Sequence, residues 1–255
     1  METIIPKTSV VLSSLLRADF TTQWRNRRAV ILTLIVPGVI ILSWKGLVAT
    51  AGGPFVLSNA ITIGLFASGL MGYSNTIARD RDKGIFQRLR VTPIPSWAIM
   101  GSRLFVQLVM IMLITTVVFI LGKNFDNISL SPVAYVVSYF TAVIGGLVSL
   151  SLGQMIVGFI KNPETVNSTT RLVYIGFIVT GMFGEMYVAL SKDPVDKILA
   201  DAVHYSPYGA VKTILSTGME PSTWNAGTTT ALLVAIGYTM VFTFLGIKWF
   251  KWNTK

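Results

Sequence analysis

Long apolar runs, separated by short charged segments, dominate the chain. No Asp, Glu, Lys or Arg falls between Gly46 and Ala78, nor between Leu104 and Gly122. A bilayer asks for about 20 apolar residues per crossing helix, and a soluble core has no use for uncharged stretches that long. The pattern predicts six spans, at 29–48, 57–77, 97–121, 132–160, 171–190 and 228–250. Thr8 to Trp24 adds an amphipathic helix, with Val11, Leu12, Leu15, Leu16, Phe20 and Trp24 on its apolar face, suited to the headgroup layer. Pro37 and Gly38 fall inside the first run, where proline predicts a kink. The long segment 191–227 carries two further short amphipathic pieces, around Ile198–Tyr205 and Val211–Leu215, which read as outer helices re-entering the bilayer surface.

Charge orients this array. Of the 21 Lys and Arg, sixteen fall on the face holding both termini and five on the other. Such asymmetry places both termini in the cytoplasm of a multi-pass protein in the cytoplasmic (inner) membrane. The six tryptophans fall near predicted span ends, where indole rings favour the headgroup boundary. Arg25, Arg27 and Arg28 precede the first run and Ala49-Thr50-Ala51 resembles a cleavage site, but the polar stretch before the run is too long for a signal peptide. The first span therefore reads as uncleaved. A single membrane domain is expected over 1–255: an interfacial helix to residue 28, a six-span bundle over 29–250 and a cytoplasmic tail over 251–255.

Composition narrows the chemistry. Charged residues make up 13% of the chain, about half the usual share. The net charge of +10 does not suggest nucleic acid, because the basic residues cluster at span ends. Without cysteine, thiol catalysis and Cys-ligated metals are excluded, and the one histidine, His204, cannot make a metal site alone. No phosphate-cradling Gly-rich loop and no nucleophile motif occurs. Neither catalytic residues nor a metal site is expected, and the chain needs no cofactor of its own.

Small residues recur every four positions at Gly64, Ser68 and Gly72, and again at Gly145, Ser149 and Gly153. That spacing permits close helix approach, within one chain or across a dimer. Three positions are candidates for a substrate path: Gln154, Phe177 and Glu185. Glu185 is either a polar wall of such a path or a headgroup residue beyond the end of its span, and Gln154 is equally suited to bonding between helices.

The densest information lies between the second and third runs. Arg79, Asp80, Arg81, Asp82, Lys83 and Arg88 would compensate one another on a short helix, leaving Ile85, Phe86 and Leu89 as an exposed apolar ridge beside the Gly84 turn. A topology signal would explain the arginines, but not the interleaved aspartates. This segment, a charged knot, is read as a docking element. Asp80-Arg81-Asp82-Lys83-Gly84, followed by Arg88-Leu89-Arg90-Val91-Thr92-Pro93, resembles the signature between spans two and three of ABC-2 type transporter permeases. Ser206-Pro207-Tyr208-Gly209 and the tail Lys248-Trp249-Phe250-Lys251-Trp252 are similar to the family's segments at those places. Asp82, Ile85 and Gln87 depart from its common Glu, Thr and Glu, and 180–185 lacks its proline.

The resemblance implies an all-α, six-helix integral membrane fold of the ABC-2, type V exporter kind. An interfacial N-terminal helix, a cytoplasmic coupling helix over the knot and re-entrant outer helices come with it. It further implies a dimer with a second copy or paralogue, and two copies of a separate ATP-binding subunit holding ATP and Mg2+. The ATPase-coupling role would fall to Arg79 through Phe86, Arg88 and Leu89, with a path lined by spans one, two and five. Members resembling drug- and antibiotic-export permeases move amphipathic compounds outward; relatives move glycans. The rival reading is an ion-coupled carrier.

Overall fold

The computed structural model describes residues 8–25, 27–90, 96–184, 187 and 197–250. Among these residues every regular element is helical. In chain order they are α1 (Thr8–Arg25), α2 (Arg27–Ser43), α3 (Val48–Ala51), α4 (Gly53–Phe66), α5 (Ser74–Asp82), α6 (Ile85–Arg90), α7 (Ser96–Asp126), α8 (Pro132–Phe159), α9 (Pro163–Phe177), α10 (Lys197–His204), α11 (Pro207–Met219) and α12 (Ala226–Lys248). Four described helices are long and apolar enough to cross a membrane: Gly53–Asp82, Ala98–Asp126, Pro132–Phe159 and Ala226–Lys248. A pair bent by 55°, Leu34–Ser43 with Lys45–Ala51, is long and apolar enough for a fifth when taken as one span. The expected fifth span, 171–190, runs partly outside the described residues. Its helix begins earlier, at Pro163, with a polar first half that lowers its mean hydropathy.

Helix starts follow local chemistry. Asn162 caps α9 by accepting from the N–H groups of Glu164 and Thr165, and Ser131, Ser206 and Asn225 do the same for α8, α11 and α12. A proline in the first turn of α8, α9 and α11 completes the pattern, since its missing N–H would have no helical partner there.

At the centre is the continuous rod Gly53–Asp82, whose α4 and α5 are joined by a π-helical stretch, Ala67–Tyr73. Leu57, Ile61, Leu65, Phe66, Leu70 and Ile77 along it are fully buried. Helices α2, α7, α8 and α11 surround it. Small residues set the closest approach. A Cβ on Gly153 of α8 would lie 2.5 Å from Ser74 Oγ and 2.6 Å from the Gly69 carbonyl oxygen. Gly69 in turn abuts Ser149. Gly145 receives Val211 and Leu65, and Gly64 receives Pro37 and Ile114. Gly64, Gly145, Ser149 and Gly153 are thus consumed in packing within this chain.

Helix α2 runs through Pro37, whose ring sits over side-chain-free Gly64, and a 55° bend follows Ser43. Two expectations about the helices need correction. The second outer piece is a 13-residue helix, α11, not a short turn. Tyr208, Val211, Ile214 and Leu215 bury it between α4, α8 and α12, and the Tyr208 hydroxyl donates to Asn59 Oδ1 at 2.9 Å. The inward face of α1 is rotated from the expected one. Val11, Leu12, Leu15 and Leu16 are partly covered, but Asp19 and Gln23 complete the face while Phe20 and Trp24 are exposed. Polar partners on α7 decide that rotation, as described below.

Two glycines should respond oppositely to alanine. Gly153→Ala forces the α8 backbone from the central rod and should cost about 1–3 kcal/mol, the range for overpacking. Gly176 has nothing within 4 Å of a Cβ, so Gly176→Ala should be neutral or stabilising by up to about 1 kcal/mol through helix propensity. Thermal unfolding of the detergent-solubilised chain measures both.

Candidate functional site: an anchored knot beside a cavity

Helix α5 ends at Asp82, and Gly84, at φ 66°, supplies the left-handed turn from which α6 departs. This knot is held from beneath by an arginine. Arg81 is 1% exposed, and its guanidinium donates from Nη1 to the Val157 carbonyl at 2.8 Å. From Nη2 it donates to the carbonyls of Ile160 at 2.6 Å and Lys161 at 2.8 Å. The last carbonyls of a helix have no partner within it. A single planar cation therefore closes the end of α8 and the linker into α9. The favourable negative pole of the α8 dipole adds to these charge-assisted bonds.

Arg103 of α7 is the second anchor. Its Nη1 pairs with Asp80 at 2.5 Å, its Nε approaches Asp19 of α1 at 3.9 Å, and its guanidinium lies 4.8 Å from the ring centroid of Phe86. Asp19 also accepts a 2.5 Å hydrogen bond from Ser102 Oγ. Burial pushes the Asp19 carboxyl above its usual range, with the Ser102 bond and the Arg103 charge opposing that shift and Asp80 reinforcing it. Phe86 is fully buried, edge-on to Phe250 at 6.0 Å.

The knot is therefore organised differently from the expected ridge. Phe86 is internal because the Arg103 guanidinium and the Phe250 ring enclose it, and Leu89 packs partly against the same core. The charges do not compensate one another locally either: Asp80 and Arg81 reach other helices. The residues left exposed are Asp82, Lys83, Gln87 and Arg88, with Gly84 and Ile85 partly covered between them.

Arg79 faces elsewhere. Its Nε donates to the Asn75 carbonyl at 3.2 Å, and it lines a cavity of about 690 Å³ on the flank of the central rod. The walls come from α2 (Val36), the π-helical stretch and α5 (Ala67, Ser68, Met71, Gly72, Asn75, Thr76), and α9 (Asn167, Arg171, Tyr174). Gln23 of α1 and Gln107 of α7 close the back. An amide ladder crosses this wall: Ser68 Oγ donates to Gln107 Oε1 at 3.2 Å, and Gln107 Nε2 to Gln23 Oε1 at 3.4 Å. On the other side Asn75 Nδ2 donates to Asn167 Oδ1 at 3.4 Å. The π-helical winding lies beside this opening, as such insertions often do at functional places.

Of the three expected path residues, Gln154 and Phe177 do not line this cavity. Gln154 accepts from the Tyr73 hydroxyl at 2.8 Å and packs on Gly246, so it joins helices. Phe177 lies edge-on to Phe66 at 5.2 Å in the core. Glu185 lies outside the described residues. Ser68 and Gly72, expected as packing positions, line the cavity instead. Sequence reasoning missed Asn75, Gln107, Asn167 and Arg171. Their signal was present, since Asn75 and Gln107 interrupt apolar runs where an amide needs a partner. Among the described residues, no three His, Asp or Glu side chains converge on a point.

Helices of this composition, a buried arginine closing α8 and a knot projecting beside it can be set against known proteins. The profile described as "ABC-2 family transporter protein" matches residues 47–248, most of the chain. The chain belongs to the ABC-2 transporter family. A curated relative is "Putative transport permease YvfS" of Bacillus subtilis (strain 168), 24% identical over 237 residues, covering 89% of this chain and 92% of that protein. The ABC-2 match begins at the bend following α2 and ends with α12, so it contains the knot, the buried arginine and most of the cavity wall. With this family and its several long apolar helices, the protein is a multi-pass membrane transport protein.

Truncating the first anchor tests its structural weight. Arg81→Ala leaves three carbonyls without their donor and should lower stability by about 3–5 kcal/mol, as breaking a buried charged contact does. Arg81→Lys should recover part of that loss, because one ammonium cannot span three acceptors as a planar fork does. Thermal unfolding of the two variants separates these outcomes. For Asp19, the raised folded-state value means that the ionised form is disfavoured in the fold. Its contribution should weaken as pH climbs above 3.8 through that raised value, and Asp19→Asn should flatten this slope in pH-dependent melts.

Proposed function

We propose that this chain is the permease of an ATP-driven exporter, moving an amphipathic compound outward across the cytoplasmic membrane. ATP and Mg2+ are held by a separate ATP-binding subunit, present in two copies, while a second permease copy or paralogue completes the translocating unit. In this reading six spans cross the bilayer, both termini lie in the cytoplasm, and the knot faces the cytoplasmic partner. The positive-inside count supports that orientation, and family membership supports the division of labour.

One observation carries the mechanism: the exposed tip of the knot and the cavity wall belong to one mechanically continuous element. Asp82, Lys83, Gln87 and Arg88 protrude from α5 and α6. The same α5 holds Asn75, Thr76 and Arg79 on the cavity wall, one to two turns away. Arg81 fastens it to the start of α9, the facing wall. A partner that pulls on the tip shifts both walls. Because coupling requires contacts that differ between two states, the tip must change its contacts as ATP is consumed. The cavity is then the vestibule that receives cargo from the inner leaflet, with walls drawn from spans one, two and five.

The test uses the exposed residues, since Phe86 lies in the core and its replacement would report on folding. Lys83→Glu combined with Arg88→Glu should preserve the melting temperature of the isolated permease. It should abolish copurification of the ATP-binding subunit and substrate-stimulated hydrolysis. A folded double variant that still pulls down its partner and still stimulates ATPase activity would remove the knot from the coupling role.

A further inference from the structure

The cavity carries more than its volume. Helices α5 and α9 run antiparallel along it, since Arg81 at the end of α5 bonds to the carbonyls of Ile160 and Lys161 just before α9 begins. The Asn75–Asn167 bond marks one level on the two walls. Arg79 stands one turn from Asn75 toward the knot, and Arg171 one turn from Asn167 in the opposite direction. The two guanidinium-bearing positions are therefore separated by about 12 Å along the helices, from the rise per residue. Neither arginine has a carboxylate partner among the described residues; the ion pairs there both belong to Arg103. The lining has two arginines and one carboxylate, Glu164, so its net charge is +1.

Topology asks for basic residues near this end of the bundle, but not for two of them lining the same cavity from facing helices. Nor does it place one of them a turn deeper than the amide pair, between Asn167 and Tyr174. Around them the wall alternates amides with Val36, Ala67 and Met71. Resting on the permease reading above, we infer that this cavity takes amphiphiles with an anionic headgroup. Arg79 meets the headgroup at the rim, Arg171 receives it further in, and Val36, Ala67 and Met71 contact the chain. A guanidinium suits this task because its planar fork binds carboxylate or phosphate through two parallel bonds and never loses its charge.

The full-length chain in phosphatidylcholine nanodiscs is titrated with three fluorescent probes sharing one alkyl chain and bearing a carboxylate, a neutral glucoside or a trimethylammonium head. The carboxylate probe should bind roughly tenfold or more tighter than the trimethylammonium probe, and the gap should narrow with added salt. Arg79→Gln and Arg171→Gln should each weaken the carboxylate probe by roughly tenfold while leaving the glucoside unchanged, which also reports that the variants fold. Arg79→Lys and Arg171→Lys should retain most of the preference. Equal binding of the three heads, or a carboxylate preference that survives both glutamine variants, overturns the inference. Nanodiscs containing phosphatidylglycerol separate the sources of the anion. Displacement of the carboxylate probe assigns the site to a bilayer lipid and undiminished binding to a free amphiphile, either supporting the anionic class. ATP-dependent transport without head preference would remove this inference and keep the permease. Head-selective binding without any ATP-dependent transport would do the reverse.

Discussion

A buried guanidinium bonded to the carbonyl end of a long helix is the contact on which the architecture around the knot depends. A helix ending away from water leaves carbonyls that must find donors, and their number exceeds what one hydroxyl or amide supplies. Arg81 brings several donors in a fixed plane, and three of its contacts are short and directional. In this arrangement the two terminal nitrogens find acceptors while the buried Nε finds none, so the charge-assisted bonds from Nη1 and Nη2 must offset the cost of burying the cation. Its consequence is topological. The end of α5, the end of α8 and the start of α9 become a single corner.

Arg103 extends that corner to the N-terminal helix. By pairing with Asp80 and approaching Asp19, it connects α7, α5 and α1, and its face against Phe86 includes α6. The central rod is therefore gripped tightly at its knot end. Along its length the grip is uneven. Gly69, Ser149 and Gly153 bring α8 to backbone contact on one side, where a single methyl group would not fit. On the other side the π-helical stretch, α5 and α9 border the cavity, bridged at one level by the Asn75–Asn167 bond. Close packing on one flank and an opening on the other leave the rod pinned against α8 and bordering the cavity.

Much of the fold was legible because hydrophobic run length is a local property. The fourth span was expected at 132–160 and α8 occupies Pro132–Phe159; the sixth was expected at 228–250 and α12 occupies Ala226–Lys248. Both helices have a clear cap and a long apolar stretch. Expectations failed where a residue's partner lay far along the chain. The α11 segment looked like a short surface piece because its own hydrophobicity is modest, yet three other helices cover it. At the knot, the spacing of Ile85, Phe86 and Leu89 suggested an exposed ridge, and Phe86 proved internal because Arg103 and Phe250 arrive from distant segments.

The amino-acid order alone determined which stretches prefer hydrocarbon, and that the segment from Arg79 to Leu89 is chemically unlike its surroundings. Those properties depend on neighbours a few residues away, through helix hydrogen bonding and the transfer of side chains out of water. Tertiary structure decided which charges of that segment remain exposed and which become fasteners. It also decided that amides from α1, α5, α7 and α9 share one cavity while Gln154 and Phe177 join the packing. Such outcomes depend on burial and on partners far along the chain, as between Arg81 and Lys161, 80 positions apart, and between Asn75 and Asn167, 92 apart. A hydrogen bond or a desolvation cost exists only once both groups have been brought to the same place.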